Sequence, residues 1–300
     1  MIRQFASPAA FKASLEERLR ARARETGLDL QRLRQLVVYD RLLARVFGVV
    51  GADVVLKGGL ALELRSARAR ATKDVDLRMM GDPGAALARL QAAGRLELGD
   101  HLRFEVEGDA RHPTIEADGL TYEGRRYRVQ AALAGRPYGR PFCVDVAFAE
   151  PLVADPEPLT GAAWLAFLGL PATEVRVYPW GAHVAEKLHA FTLPRPRPNS
   201  RVKDLPDIAL LAETRGASSV ELRAALELTF AHRGTHPLPI SVQDPPAFWA
   251  APYAELARDN GLPWSTVDQL MGAVRAFLDP VLAGASGRWD PQAWAWQAEG

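Results

Sequence analysis

Cysteine is almost missing from this 300-residue chain, where Cys143 stands alone. One thiol excludes an internal disulfide and any zinc site built from cysteines. Long apolar runs are missing too, and none reaches the roughly 18–20 residues that a membrane span requires. Met1 to Leu19 holds no apolar stretch of the kind a secretory signal carries, so the expectation is a cytoplasmic protein. No pattern repeats and no tract is of low complexity. Neither sign of charge dominates, since 37 basic residues face 36 acidic ones. With 48% apolar and 24% charged residues, the chain has an ordinary globular balance and the length for one large domain or two modest ones.

The near-neutral total hides an uneven distribution. Residues 1–50 hold ten Arg and Lys against five Asp and Glu, whereas residues 251–300 hold three against six. Two readings of the basic N-terminal segment stand: a solvated helix face, or a surface that leans on phosphates.

Periodicity and punctuation divide the chain. Residues 8–25 and 29–48 are predicted helices, the first opened by Pro8 and the second by Asp29 as N-cap. A short strand over 53–56 ends at Lys57-Gly58-Gly59, and a short helix follows over 60–66. A strand over 74–79, a helix over 84–93 and strands over 101–107, 113–118, 126–133 and 142–148 complete an α+β unit with a mixed sheet. After a last strand at 175–178 the pattern turns helical, over 183–193, 202–214, 219–231, 247–259 and 264–283. The run Pro194-Arg-Pro-Arg-Pro-Asn-Ser200 cannot be helical, because each proline restricts itself and its predecessor. The expected division is an N-terminal helical segment (1–50), a sheet domain (51–180) and a helical domain (181–300).

Three local signals carry chemistry. In Asp74-Val75-Asp76 the alternation of a strand puts both acids on one face, roughly 7 Å apart. Such a pair offers the hard oxygen ligands that divalent cations prefer, while the plainer reading is a solvated strand end. Gly58-Gly59, with Lys57 before it, lies at a strand-to-helix turn where backbone amides can approach a phosphate. It is not a Walker loop, because the Gly-Lys-Ser/Thr ending is missing. Asp145 sits in the otherwise apolar Phe142-Cys-Val-Asp-Val-Ala-Phe148, where an acid is costly unless it is paired with an Arg or bound to a metal. Both alternatives are open.

The order of these signals resembles the nucleotidyltransferase superfamily whose palm is like that of DNA polymerase β. Longer stretches sharpen the likeness. Leu56-Lys-Gly-Gly-Leu-Ala-Leu-Glu-Leu-Arg65, Arg70-Ala-Thr-Lys-Asp-Val-Asp-Leu77, Ala185-Glu-Lys-Leu-His-Ala190 and Asn199-Ser-Arg-Val-Lys-Asp-Leu-Pro-Asp207 are similar to the AbiEii/AbiGii toxin family, over roughly residues 30–215. Leu60 and Val75 depart from the family's more usual Thr-like and Ile choices, at positions that do not touch metal chemistry.

The resemblance implies a polymerase-β-like palm with N-terminal helices and a C-terminal helical domain. It implies that Asp74, Asp76 and Asp145 hold two Mg²⁺ ions, and that Lys57, Gly58, Gly59, Thr72 and Lys187 hold the phosphates of a nucleoside triphosphate. It implies further that Asp204 acts in catalysis, orients Lys187 or serves as base, with Asp207 in support. The implied reaction is nucleotidyl transfer with release of pyrophosphate, by a toxin of a toxin–antitoxin or phage-defence system. The acceptor is expected to be the 3′ end of tRNA and the partner a cognate antitoxin. Arg195 and Arg197 suit an RNA acceptor. A small-molecule or protein acceptor, or a silent nucleotide- or RNA-binding member, is the alternative. The six histidines suggest no metal set, and the tryptophans gathered at the end (Trp249, Trp264, Trp289, Trp294, Trp296) read as core residues, with base stacking the rival role.

Overall fold

The computed structural model describes residues 5–66, 68–114, 124–148, 152, 154–195, 199 and 201–298. Two helices open the chain, α1 (Pro8–Thr26) and α2 (Leu30–Val50). Ser7 and Asp29 cap them by accepting from the amides of Ala10 and Arg32, which satisfies backbone donors that the first turn leaves free. Phe11, Leu15 and Leu19 on α1 and Leu33, Val37 and Val46 on α2 are buried in one core.

A mixed sheet of seven strands lies against these helices, in the order β3-β4-β5-β2-β1-β7-β6. Its strands are β1 (Val54–Lys57), β2 (Val75–Met79), β3 (Leu102–Gly108), β4 (Gly124–Leu133), β5 (Arg136–Phe148), β6 (Glu157–Thr160) and β7 (Glu174–Val177). Between β1 and β2 lies α3 (Gly58–Arg65), and α4 (Ala86–Arg95) precedes β3. Val75, Leu77 and Met79 on β2, Phe142, Val144 and Val146 on β5, and Tyr127, Val129 and Ala131 on β4 all enter the core. Alternation therefore turns Asp76, Asp145 and Arg126 to the opposite face. Strands β4 and β5 form a tight hairpin through Ala134 and Gly135, both with positive φ (53° and 71°). That is the backbone twist a two-residue turn between antiparallel strands requires.

A second core belongs to the C-terminal part. Helices α5 (Trp180–Thr192), α6 (Asp204–Thr214), α7 (Ser219–Arg233), α8 (Ala250–Asn260) and α9 (Val267–Leu282) pack together, with Leu62 of α3 reaching into them. Three short strands, β8 (Ala217–Ser218), β9 (Arg288–Asp290) and β10 (Ala295–Gln297), form a small sheet there. The late tryptophans are its core: Trp289 stacks edgewise on Phe277, and its indole N–H donates to the carbonyl of Ala212. Trp294 and Trp296 donate to the carbonyls of Ala273 and Phe277, so the end of the chain is pinned to α9.

Several expectations need adjustment. Of the strand expected over 113–118, the described part is one bridge, Thr114 to Arg125, and 115–123 lie outside the described residues. Strands β6, β8, β9 and β10 were not anticipated. Helix α5 begins three residues earlier than expected, directly after Pro179. Along α1 the basic N-terminal segment is a solvated face, with Arg18, Arg20, Arg22 and Arg24 exposed, but along α2 it is neither a solvated face nor a free phosphate surface. Arg32 pairs with Glu63, Arg34 with Glu16, and Arg41 and Arg45 both with Asp100. Four of the ten cations of residues 1–50 thus face carboxylates inside the protein.

Candidate active site

The turn from β1 into α3 is built by necessity from glycine. Gly58 has φ +66°, and a Cβ there would lie 1.9 Å from Oδ2 of Asp76. A Cβ on Gly59 would lie 2.7 Å from the hydroxyl of Thr72. The backbone therefore passes directly over the carboxylate and the hydroxyl, and any side chain at either position would collide with them.

Asp76 sits in a row of charges that crosses four strands. It is in register with Lys57 on β1 and with Asp145 on β5, and Asp145 is in register with Arg126 on β4. The order across the sheet is cation, acid, acid, cation. The outer pair is closed: Arg126 forks onto Asp145 with both N–O distances at 2.7 Å. Lys57 lies over the ring of Tyr178, 5.0 Å from its centroid. Asp74 and Asp76 form no ion pair with a described residue. The Asp76 carboxyl is pushed above its ordinary pKa, first by burial and then by the neighbouring charge of Asp145, with Lys57 and Lys187 pulling the other way. Like charges gathered on a half-buried strand raise a pKa in this way until a cation neutralises them.

The opposite wall of the cleft is α5. His183, Glu186, Lys187 and Ala190 recur at helical spacing and face the same space as Asp74, Asp76, Thr72 and the glycine turn. This space is a cleft of about 390 Å³, and the ionisable side chains that line it are mostly basic: Lys57, Arg70, Lys73, Lys187, Arg195, Arg201, Lys203 and Arg233. Lys187 donates to Asp207 at 2.7 Å and to Asp204 at 3.4 Å. Arg70, from the segment before β2, holds the other side of Asp207 with two bonds of 2.9 Å. Burial works against the ammonium of Lys187, but Asp207 and Asp204 outweigh it and its pKa rises. The carboxyl of Asp207, opposed by burial, is nonetheless held below its usual range by Lys187 and Arg70. Lys187 is thus fixed as a cation at the wall.

The candidate residues Lys57, Gly58, Gly59, Thr72, Asp74, Asp76 and Lys187 share this cleft. Asp145 lies next to Asp76 on the sheet but does not line the cleft; of its two readings, the Arg pair is the one seen. Among the described residues no group of three or more acids, histidines or cysteines is arranged to hold a metal ion. The nearer partner of Lys187 is Asp207 rather than Asp204, which is also held by Arg201. Lys203 and Asp207 have the i,i+4 spacing of a helical ion pair but do not form one, because Asp207 turns inward to Arg70 and Lys187. Arg197 lies outside the described residues.

Sequence reasoning gave Arg70, Arg126 and Arg233 no role at the site. Arg233 grips Glu186 from α7, with its closest bonds at 2.5 and 2.7 Å. Only Arg70 left a signal, its place in the Arg-Ala-Thr-Lys-Asp-Val-Asp motif. The partners of the other two lie on a different strand or helix, 19 and 47 residues away in the chain.

A model of the AbiEii nucleotidyl transferase toxin family, of type IV toxin–antitoxin systems, matches residues 41–273. The chain belongs to this family. No curated protein matches it. Among solved structures it is similar to MenT4, a nucleotidyltransferase toxin from Mycobacterium tuberculosis H37Rv, with TM-score 0.56 and 17% identity over 93% of this chain and 92% of that one. It is also similar to JHP933 from Helicobacter pylori, with TM-score 0.49 and 14% identity over 83% of this chain and 94% of that one. The fold is therefore that of a nucleotidyltransferase: a mixed-sheet palm flanked by N-terminal helices and followed by helices. As a member of this family of toxins the protein is a transferase. Among the described residues no helix is long and apolar enough to cross a membrane.

Proposed function

We propose that this AbiEii nucleotidyltransferase moves a nucleoside monophosphate from a nucleoside triphosphate to a hydroxyl at the 3′ end of tRNA, in the cytoplasm, and that a cognate antitoxin restrains it. The acceptor oxygen forms a bond to the α-phosphorus, the bond from that phosphorus to the α–β bridging oxygen breaks, and pyrophosphate leaves. The observation that carries this reading is a single cleft holding two acids with no ion-pair partner among the described residues, a glycine turn with no room for side chains, and a fixed lysine.

Each residue has work in that scheme. The division of the chain into 1–50, 51–180 and 181–300 puts the glycine turn and the acids on the palm and Lys187 on the helical part. The amides of the turn and the hydroxyl of Thr72 accommodate phosphate oxygens where a Cβ would intrude. Lys57 and Lys187 offset the charge of the triphosphate, Lys187 as an ammonium that Asp207 and Asp204 orient. Arg70 ties the segment before β2 to α6 through Asp207, so the acids and the lysine keep their spacing.

Magnesium fits the donors present. Asp74 and Asp76 supply hard anionic oxygens, and the raised pKa of Asp76 marks a carboxylate in want of a counter-charge. When bound there, the cation neutralises charge on the reacting phosphate and on the departing pyrophosphate. The basic lining of the cleft, Arg195 and Lys203 included, suits an acceptor that carries its own phosphates.

The test incubates total RNA, cell protein and a small-molecule extract separately with each labelled triphosphate, comparing the wild-type chain with Asp76→Ala. Label in tRNA that depends on Asp76 and Mg²⁺ is the expected result. Label in another acceptor overturns the tRNA assignment, and no pyrophosphate release from any triphosphate overturns the transferase assignment for this site.

A further inference from the structure

The row Lys57, Asp76, Asp145, Arg126 contains more than the proposed reaction uses. Neighbouring strands lie roughly 4.7–4.9 Å apart, so two acids in register on one face crowd each other. The β2–β5 ladder pairs Asp76 with Asp145 directly. A third carboxylate therefore stands beside the acids of the cleft, a further hard oxygen donor of the kind a divalent cation takes. It is not available there: Arg126 occupies both of its oxygens with parallel bonds of 2.7 Å, the bidentate geometry in which guanidinium and carboxylate match best. Arg126 is also the more exposed partner, at 33% against 14% for Asp145. It can turn away into solvent without unpacking the core, whereas Asp145, on an inner strand of the sheet, cannot.

We infer that Arg126 is a positioning residue that limits the resting protein to one divalent cation, held by Asp74 and Asp76, by keeping Asp145 out of the metal site. The inference rests on the reading of Asp74 and Asp76 as metal ligands. Two features support the direction of the effect. Removing Arg126 leaves Asp145 unpaired beside Asp76, and two uncompensated carboxylates favour a cation between them. The charge of Asp74 also reaches Arg126, so all three acids act within one electrostatic neighbourhood. An incoming triphosphate would bring anionic oxygens that compete with Asp145 for the guanidinium, which couples opening of the second site to substrate.

The experiment counts bound Mn²⁺ on the full chain without nucleotide, by equilibrium dialysis with electron paramagnetic resonance of the free ion. The wild-type chain is expected to bind one ion, which Asp76→Asn removes. Arg126→Gln is expected to bind two, with overall affinity raised on the order of tenfold, the scale of one lost charge-assisted pair. Asp145→Asn placed on top of Arg126→Gln is expected to return the count to one. Arg126→Lys keeps the charge but cannot fork, so it gives an intermediate result and covers the case in which Arg126→Gln does not fold. Folded Arg126→Gln and Arg126→Lys chains that bind Mn²⁺ as the wild type does overturn the inference, and so does a wild-type count of two. If Mn²⁺ binding is absent or indifferent to Asp76→Asn, the reading of the metal ligands falls as well. If Asp76→Asn removes the ion and the Arg126 variants change nothing, the role of Arg126 alone falls.

Discussion

The cluster of Arg41, Arg45 and Asp100 and the cluster of Arg70, Lys187 and Asp207 are assembled alike. In each, two cations close on one fully buried carboxylate. Asp100 and Asp207 are both held below the usual carboxyl range by those cations against the cost of burial. Their surroundings differ. Asp100 also caps the amide of Leu102, and Arg45 donates to the carbonyl of Leu102, so the first cluster is closed by backbone and lies beneath α2 and β3. The second has Arg70 and Lys187 on the wall of a cleft whose floor carries two acids without ion-pair partners among the described residues. Burial of charge does not by itself mark a site. The mark is buried charge whose fixed cations border a space and face acids left over.

The largest effect expected is a separation of stability from activity at Asp76. Its folded pKa lies above the unfolded value, so between the two the folded state binds more protons and stability falls as pH rises through that window. Asp76→Asn removes the charged form. The variant is expected to lose transfer by about a thousandfold or more, as when a group acting only in the transition state is removed, while its melting temperature at pH 7 rises. A variant that loses both would show Asp76 to be a structural acid like Asp100.

The next contrast sets Asp207→Asn against Asp100→Asn. Breaking a buried pair costs about 3–5 kcal/mol, and both variants are expected to lose stability on that scale in denaturant melts. Only Asp207→Asn should also lower kcat of the folded fraction, because Lys187 loses its nearer partner. Equal kcat values would remove the distinction between the clusters. Gly58→Ala follows. Its Cβ would overlap Asp76 Oδ2 and displace it, and a misplacement of about 1 Å costs roughly a hundredfold in rate. Expected is a lower kcat, with Mn²⁺ binding weakened in parallel.

The long helices, the Gly58-Gly59 turn and the Asp-Val-Asp strand were legible because local chemistry dictates them: Asp29 caps, glycines permit a positive φ, and alternation orients the acids. Even the acid embedded in an apolar strand, Asp145, posed the right question. Strands β6 and β8 to β10, of two to four residues each, escaped because so few residues carry no period. The partner of Asp207 was misread for a different reason. Helical spacing predicts neighbours on one helix, such as Lys203 and Asp207, but Asp207 lies where α6 meets α5 and the segment before β2, and a buried carboxylate takes the cations that are also removed from water. Arg126 shows the same limit, since its bond to Asp145 depends on the β4–β5 register.

The smallest effect concerns histidine and sharpens the contrast from the other direction. His189 packs against Phe230 and His236 and accepts from or donates to Thr235 at 2.7 Å. Burial, then the neighbouring His236, lowers its pKa to about 4. His183 is lowered too, by burial and by Lys187. Both rings are neutral at pH 7, so neither belongs to the charge that the cleft offers a triphosphate. The rate of transfer is therefore expected to show no inflection near pH 6.5. Stability should behave otherwise. The unfolded chain takes up protons at these rings as pH falls through the ordinary histidine value, and the folded chain does not until near pH 4 at His189, so stability is lost on acidification across that window. Thermal melts from pH 7 to pH 5 should show the loss, and His189→Gln should lessen it while leaving kcat near that of the wild type. A rate inflection near pH 6.5 that disappears in His189→Gln would instead put this ring among the groups that serve the reaction.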